Sequence, residues 1–123
     1  MINLAVTNIS TTTDTHLDTA RRRQGRVALA LADLLTLDLS ELSWYAPRNG
    51  SSIPTLRGVR DGEGGDTSNR VDVVDEWARF LRVTPVWEEL AGGSGEYIAT
   101  GWHMGVRVTV RAFLTSAPLA VRA

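Results

Sequence analysis

The feature that most constrains the fold of this chain is the segment 96–114, EYIATGWHMGVRVTVRAFL, which predicts a hairpin of two β-strands. In its second half, apolar and polar residues alternate. One face carries Val106, Val108, Val110, Ala112 and Leu114, and the other carries Arg107, Thr109, Arg111 and Phe113. A period of two in a run rich in β-branched residues is typical of a strand with one face on a core. The segment therefore predicts a half-buried strand.

The turn of this hairpin decides which residues face each other. If Met104 and Gly105 are the two central turn residues, the cross-strand pairs are His103–Val106, Trp102–Arg107, Gly101–Val108, Thr100–Thr109, Ala99–Val110 and Ile98–Arg111. This register places Trp102 opposite Arg107 on the outer face, where a cation–π contact is worth about 0.5–1 kcal/mol if exposed. A change of one residue in the turn would move Trp102 into the core, because side chains on a strand alternate between its two faces.

Two segments have the periodicity of amphipathic helices. The first is predicted from about Thr15 to Leu35, with a heptad-like stripe of Leu17, Ala20, Gln24, Val27, Leu31 and Leu34. A helix laid on the sheet and the seam of a coiled-coil dimer both fit this stripe. The second helix is predicted to begin near Asn69, a good N-cap. Its apolar face carries Val71, Val74, Trp77, Ala78 and Leu81.

Three further segments predict strands: residues 42–46, residues 53–59 and residues 83–90. Together with the hairpin, the order is helix, two strands, helix, three strands. This order predicts an α+β domain with a mostly antiparallel sheet of five strands and two helices on one face. The opposite face of the sheet is then open to solvent or to a partner.

The single domain is predicted over residues 14–115. Residues 1–13 are predicted to form a mobile N-terminal arm and residues 116–123 a flexible C-terminal tail, since chain ends lose order unless they are tied down. Residues 47–50, Pro-Arg-Asn-Gly, have turn chemistry, and residues 61–69 predict a solvated loop.

Composition excludes several classes of function. The formal charge of −1 gives no bulk electrostatic argument for nucleic-acid or membrane binding. The chain has no cysteine, so disulfides, thiolate chemistry and the usual zinc ligands are missing. No apolar run approaches the roughly 20 residues of a membrane-spanning helix, and the N-terminus lacks the pattern of a signal peptide. These features predict a cytoplasmic protein with no membrane partner.

No motif for catalysis, cofactor binding or metal binding is present in the sequence. Of the two histidines, His103 is predicted at the rim of the core face beside the hairpin turn. Asp72, Asp75 and Glu76 are the residues that come nearest to a site for a divalent metal, and they also fit a solvated acidic face of the second helix. The sequence predicts a protein that is not an enzyme and holds no cofactor and no metal.

Two surfaces are candidates for binding. The first is the outer face of the hairpin, with Ile98, Trp102, Arg107, Arg111 and Phe113. Tryptophan and arginine are enriched at interaction hot spots, and aromatic rings beside arginine also stack nucleic-acid bases. The same cross-strand pairs also fit a solvent-facing sheet that has no partner, because they stabilise it by themselves.

The second candidate surface is the arginine cluster of the first helix, Arg21, Arg22, Arg23 and Arg26. A cluster of this kind fits a patch that contacts phosphates. It fits equally a solvated helix face in which Asp18 pairs with Arg22 at i, i+4.

The motifs EWARFL (76–81), PVW (85–87) and YIATGWHMGVRVTVRAFL (97–114) resemble those of small uncharacterised proteins of actinobacteria, their phages and conjugative plasmids. In these proteins an EWAxxL helix precedes a GxxxGVxV hairpin. The resemblance covers roughly the C-terminal half of the chain. All thirteen basic residues are arginine, which fits such a source. It implies an accessory or mobile-element origin and no activity. The chain departs from the pattern at Met104, where Asp or Asn is usual.

The leading prediction is therefore a small non-enzymatic binding protein of phage, plasmid or accessory origin. It acts through an exposed sheet face on another protein or on itself as a homodimer. The alternative is a nucleic-acid-binding module that uses the arginine-rich first helix.

Overall fold

The computed structural model describes residues 11–47, 53–60 and 67–119. Within these ranges the chain forms two α-helices, a short 3₁₀ turn at Ala91–Gly93 and a five-stranded sheet. The elements are α1 (Thr11–Leu34), β1 (Ser43–Tyr45), β2 (Thr55–Val59), α2 (Thr67–Leu81), β3 (Val86–Glu89), β4 (Gly95–His103) and β5 (Val106–Leu114). The predicted α+β fold and its order of elements are confirmed.

The sheet has the strand order β1-β2-β5-β4-β3, which places β5 at its centre. Strands β2 and β5 pair in parallel, whereas every other neighbouring pair is antiparallel. Parallel strands need a crossover connection, and here the chain returns through α2, β3 and β4 before it reaches β5. The sheet is thus mixed and mostly antiparallel, as predicted.

The hairpin of β4 and β5 has the register predicted from its sequence. His103 pairs with Val106 and Trp102 pairs with Arg107, and the remaining predicted pairs follow in step. The turn residues Met104 and Gly105 have φ angles of 52° and 77°. Two successive positive φ angles are typical of the type I′ turn, whose twist matches that of the strands it joins. The two-residue turn therefore forms although Met104 replaces the usual Asn or Asp.

The core lies between the two helices and one face of the sheet. The inner residues of β5 are at most 1 % exposed: Val106, Val108, Val110, Ala112 and Leu114. Helix α1 contributes Ala30 and Leu34, and α2 contributes Val74, Trp77 and Ala78. Both helices thus cover the same face, as predicted.

The predicted stripe of α1 packs on this sheet. Val27 and Leu31 are partly buried against the core, Leu34 is buried within it, and Gln24 is exposed. The second half of the stripe therefore packs on the sheet, as predicted for a helix laid on a sheet.

Both helices begin earlier than their predicted caps. Helix α1 begins at Thr11 and not at Thr15, so residues 11–13, predicted as part of an arm, are helical. Helix α2 begins at Thr67 and not at Asn69. Threonine and serine cost only a few tenths of a kcal/mol per residue in a helix, so a packed helix extends through them at little cost.

Strand β3 is shorter than predicted, at Val86–Glu89, because Arg82 leaves α2 with a φ of 59° and Pro85 lacks a backbone donor. Within the predicted tail, Pro118 is buried. The remaining predictions on residues 1–10, 48–50, 61–66 and 120–123 lie outside the described residues.

Candidate functional site

The candidate site is the face of the sheet opposite the helices, here called the outer face. Paired residues share a face, so the register defines it across all five strands. It consists of Ser43 and Tyr45 on β1, Thr55, Arg57 and Val59 on β2, Arg107, Thr109, Arg111 and Phe113 on β5, Glu96, Ile98, Thr100 and Trp102 on β4, and Val86 and Glu88 on β3. Since both described helices pack on the inner face, this part of the chain provides no helix that covers the outer one.

Three arginines surround Thr109 at the centre of the outer face. Arg107 and Arg111 flank Thr109 along β5, and Arg57 is its partner on β2. With strands about 4.8 Å apart and a rise of about 3.3 Å per residue, the Cα atom of Arg57 lies about 8 Å from those of the other two arginines. The fold therefore concentrates three guanidinium groups in one small area.

The three arginines differ in their partners. Arg111 Nη1 lies 3.1 Å from Glu96 Oε2, whereas the buried Nε of Arg111 has no acceptor. Neither Arg57 nor Arg107 forms a side-chain ion pair or hydrogen bond with any residue that the structure describes. Two of the three cationic groups are thus uncompensated within the described chain.

Threonine side chains form the floor between the arginines. Thr55 and Thr109 are buried, and the Oγ1 atoms of Thr100 and Thr109 are 3.3 Å apart. The Oγ1 of Thr55 donates to the carbonyl oxygen of Ile53 at 3.0 Å. Above this floor is an open depression of about 470 Å³, lined in part by the three arginines. On the β2 and β5 side its wall carries hydrogen-bond donors and positive charge, which together suit an anionic group, and on the β3 side it carries one carboxylate, that of Glu88.

Aromatic side chains lie at the two ends of the outer face. Trp102 is 60 % exposed and lies opposite Arg107, while Phe113 is 47 % exposed and lies opposite Glu96. Ile98 is half-buried between them. The structure therefore brings all five residues predicted for protein binding to one face and confirms that Trp102 faces solvent.

Sequence reasoning missed Arg57 and Thr55 as residues of this face. The alternation in β2 would have found their orientation, because Leu56 and Gly58 point inward and so Thr55 and Arg57 point outward. What no local pattern reveals is that β2 lies beside β5.

The arginines of α1 do not form one patch. Arg21 and Arg22 are exposed, Arg23 is half-buried beside a cavity of about 630 Å³ between α1 and β1–β2, and the Arg26 side chain lies near Gly105 at the hairpin turn. At about 100° per residue, these positions spread over roughly 200° of the helix circumference. Among the described side chains, Asp18 does not form the predicted ion pair with Arg22.

His103 is at the rim of the core face, as predicted, and contributes to the fold. Its Nε2 lies 2.6 Å from Asp33 Oδ2 on α1, and its ring centroid lies 5.3 Å from that of Phe80 on α2. These contacts connect the hairpin end to both helices.

The acidic residues of α2 are also used by the fold. Asp75 Oδ1 accepts a hydrogen bond from the Tyr97 hydroxyl at 2.7 Å, and Glu76 Oε1 accepts from the Ser40 backbone N–H at 2.5 Å. Burial, reinforced by the hydrogen bond to Asp75 and its charge, raises the pKa of Tyr97 well above its ordinary value. Within the described ranges, no three His, Asp or Glu side chains cluster so as to hold a metal ion.

Comparisons of this chain with protein-family models, with curated proteins and with solved structures find no match. The resemblance to small actinobacterial, phage and plasmid proteins stays a prediction. Over residues 11–47, 53–60 and 67–119, neither helix is long and apolar enough to cross a membrane.

Proposed function

We propose that this protein is a non-enzymatic binding protein that recognises a second, different protein through its outer face. The observation that carries the proposal is a face that no described helix covers, on which exposed aromatic rings lie on the same strands as guanidinium groups without a described partner. Trp102 and Phe113 supply apolar area, and Arg57 and Arg107 supply donors without described partners. Tryptophan, tyrosine and arginine are the residue types that dominate binding energy at protein interfaces.

Charge favours a different protein over a second copy of this chain. In a two-fold dimer the same patch lies on both sides of the interface. A dimer centred on Thr109 would bring the arginines around Thr109 close to those of the other copy. Like charges placed opposite each other across an interface disfavour association.

The non-enzymatic part of the proposal is supported by how the titratable residues are used. His103 contacts Asp33 and packs on Phe80 on the inner face, away from the outer depression. On the outer face the carboxylate of Glu96 forms an ion pair with Arg111, and the arginines do not titrate in the range of general acid–base chemistry. The proposal includes the cytoplasmic location predicted from composition.

Nucleic-acid binding through α1 remains the alternative, and the geometry supports it less. Arg21, Arg22, Arg23 and Arg26 diverge around the helix, whereas a phosphate backbone needs cations along a shared track. A salt titration on a DNA column tests it: if Arg21→Glu with Arg22→Glu leaves retention unchanged, this alternative is excluded.

The proposal is tested with peptides selected on the immobilised protein from a random displayed library. Trp102→Ala is expected to reduce retention of the selected binders by at least about tenfold, since truncation of a hot-spot residue costs about 2 kcal/mol or more. Its free energy of unfolding should change little, because the side chain is 60 % exposed. Leu29→Ala is the matched control, since Leu29 is 66 % exposed on α1 and far from the outer face in the fold. Equal retention by both variants would contradict the proposal.

A further inference from the structure

We infer that Arg57, Arg107 and Arg111, here called the arginine triad, form a binding site for a carboxylate. The partner would then present an aspartate or glutamate side chain to the centre of the outer face. This inference rests on the proposed function, because it names the chemical group that the partner contributes at that face.

The positions of the three arginines favour a single small anion between them. Arg57 lies opposite Thr109, and Arg107 and Arg111 lie two residues to either side of it, so the triad forms a triangle around one buried threonine. The Cα atom of Arg57 lies about 8 Å from those of Arg107 and Arg111, which are about 13 Å apart along β5, and side chains of this length can converge on one small anion above the threonine floor. Each guanidinium is a planar fork whose paired N–H donors match the two oxygens of a carboxylate.

The positive charge of the triad and its guanidinium donors without described acceptors also favour a carboxylate. The triad carries three positive charges, and among the described residues one carboxylate, that of Glu96, forms an ion pair with it, through Arg111. Arg57 and Arg107 form none, and Arg111 Nε is a buried donor without an acceptor. Groups of like charge held this close repel each other, and a buried donor without a partner is unfavourable. A carboxylate in the depression supplies the missing negative charge.

The acidic residues beside the triad favour a carboxylate over a nucleic acid. The cationic area ends within the outer face, because Glu88 and Glu96 are paired on β3 and β4 and Glu88 lines the β3 side of the depression. Exposed Val86 continues the border as an apolar edge. A nucleic-acid strand carries a phosphate at every residue and would have to pass these acids, whereas a single side chain fits the depression of about 470 Å³. The surroundings therefore favour one or two discrete carboxylates.

The test uses hexaglutamate as the probe and ¹⁵N-labelled protein at low ionic strength. Hexaglutamate is expected to shift the arginine Nε–H signals of the triad more than those of Arg22 and Arg79, which are exposed on α1 and α2. Hexaglutamine, which is isosteric and neutral, is expected to cause no shift. Equal shifts of all exposed arginines by hexaglutamate would mean non-specific attraction and would overturn the inference.

Variants of equal charge locate the site. Arg57→Gln with Arg107→Gln is expected to weaken hexaglutamate binding at least tenfold, and Arg22→Gln with Arg79→Gln to change it less than twofold. Circular dichroism and the thermal midpoint check that both double variants stay folded. A ten-residue oligothymidylate is the competing anion: if it binds more tightly than hexaglutamate and depends on the same arginines, the carboxylate assignment is wrong.

The experiments can contradict the carboxylate site and the proposed binding face independently of each other. If hexaglutamate does not use the triad while Trp102→Ala still loses the selected binders, the carboxylate site is wrong and the binding face stands. If hexaglutamate uses the triad while Trp102→Ala and Arg107→Glu keep those binders, the carboxylate site stands and the proposed function is wrong.

Discussion

His103 on β4 and Asp33 on α1 are joined by a contact of 2.6 Å between Nε2 and Oδ2, which fixes the first helix to the end of the hairpin. The histidine side chain is 19 % exposed and the aspartate 45 %. Because the aspartate is close to half exposed, solvent screens the pair, and we expect a coupling energy of about 0.5–1 kcal/mol. A double-mutant cycle with His103→Ala and Asp33→Ala, measured by urea unfolding, gives this quantity. Strictly additive effects of the two substitutions would contradict the expectation.

Tyr97 makes the stability of the protein depend on alkaline pH. Its folded pKa is raised above the ordinary value by burial and by Asp75, so above about pH 10 the unfolded chain releases this proton while the folded protein retains it. The contribution of Tyr97 to stability should therefore be constant below about pH 10 and fall as pH rises beyond it. The chain contains no lysine, so few other groups titrate there.

Tyr97→Phe tests this dependence. The variant should lose part of the alkaline decline in the free energy of unfolding, because its residue 97 binds no proton in either state. It should also be about 1–2 kcal/mol less stable near neutral pH, since the hydrogen bond to the Asp75 carboxylate is removed. Tyr45→Phe is the control, as Tyr45 is exposed. Identical pH profiles for the two variants would show that Tyr97 is not responsible.

Met104 occupies a turn position that suits it poorly. Its φ of 52° lies in the left-handed region, which costs most L-residues about 1–2 kcal/mol and which asparagine adopts more readily. Met104→Asn should therefore raise the free energy of unfolding by up to about 1 kcal/mol. Met104→Ala retains the strain and should give no such gain, so a comparable stabilisation by both would exclude the backbone explanation. Chemical denaturation distinguishes them.

Gly95 and Gly25 should respond in opposite ways to the same substitution. A Cβ atom at Gly95 would collide with the Glu88 carbonyl oxygen and the Trp87 ring, whereas a Cβ at Gly25 would meet no atom within 4 Å. Gly95→Ala should destabilise by about 1–3 kcal/mol, as overpacking does, and loosen the pairing of β3 with β4. Gly25 lies within a helix, so Gly25→Ala should raise the free energy of unfolding by about 0.5–1 kcal/mol. Thermal unfolding of both variants measures the difference, and a shift of the same sign in both would contradict the prediction.

The local sequence pattern is sufficient to predict the register of the hairpin, but it does not predict which strand lies beside the hairpin in the sheet. The alternation over Val106–Leu114 and a two-residue turn determine which side chains face each other, so the sequence alone predicts the face of Trp102, Arg107 and Arg111. The neighbour of β5 on its other side is β2, and nothing in the sequence of either strand expresses a pairing between segments so distant in the chain. Arg57, and with it the triangle around Thr109, was therefore missed.

The parallel pairing of β2 with β5 also determines at which stage of synthesis the outer face can form. During synthesis β1 and β2 emerge early. The edge of β2 that faces the centre of the sheet pairs with β5, and β5 is made only after α2, β3 and β4. Pairing between distant segments cannot form before the second segment has been made. Arg57 meets Arg107 and Arg111 only at that last step. A nascent or truncated chain that lacks β5 therefore lacks the arginine triad, and a partner that requires it would recognise finished molecules alone.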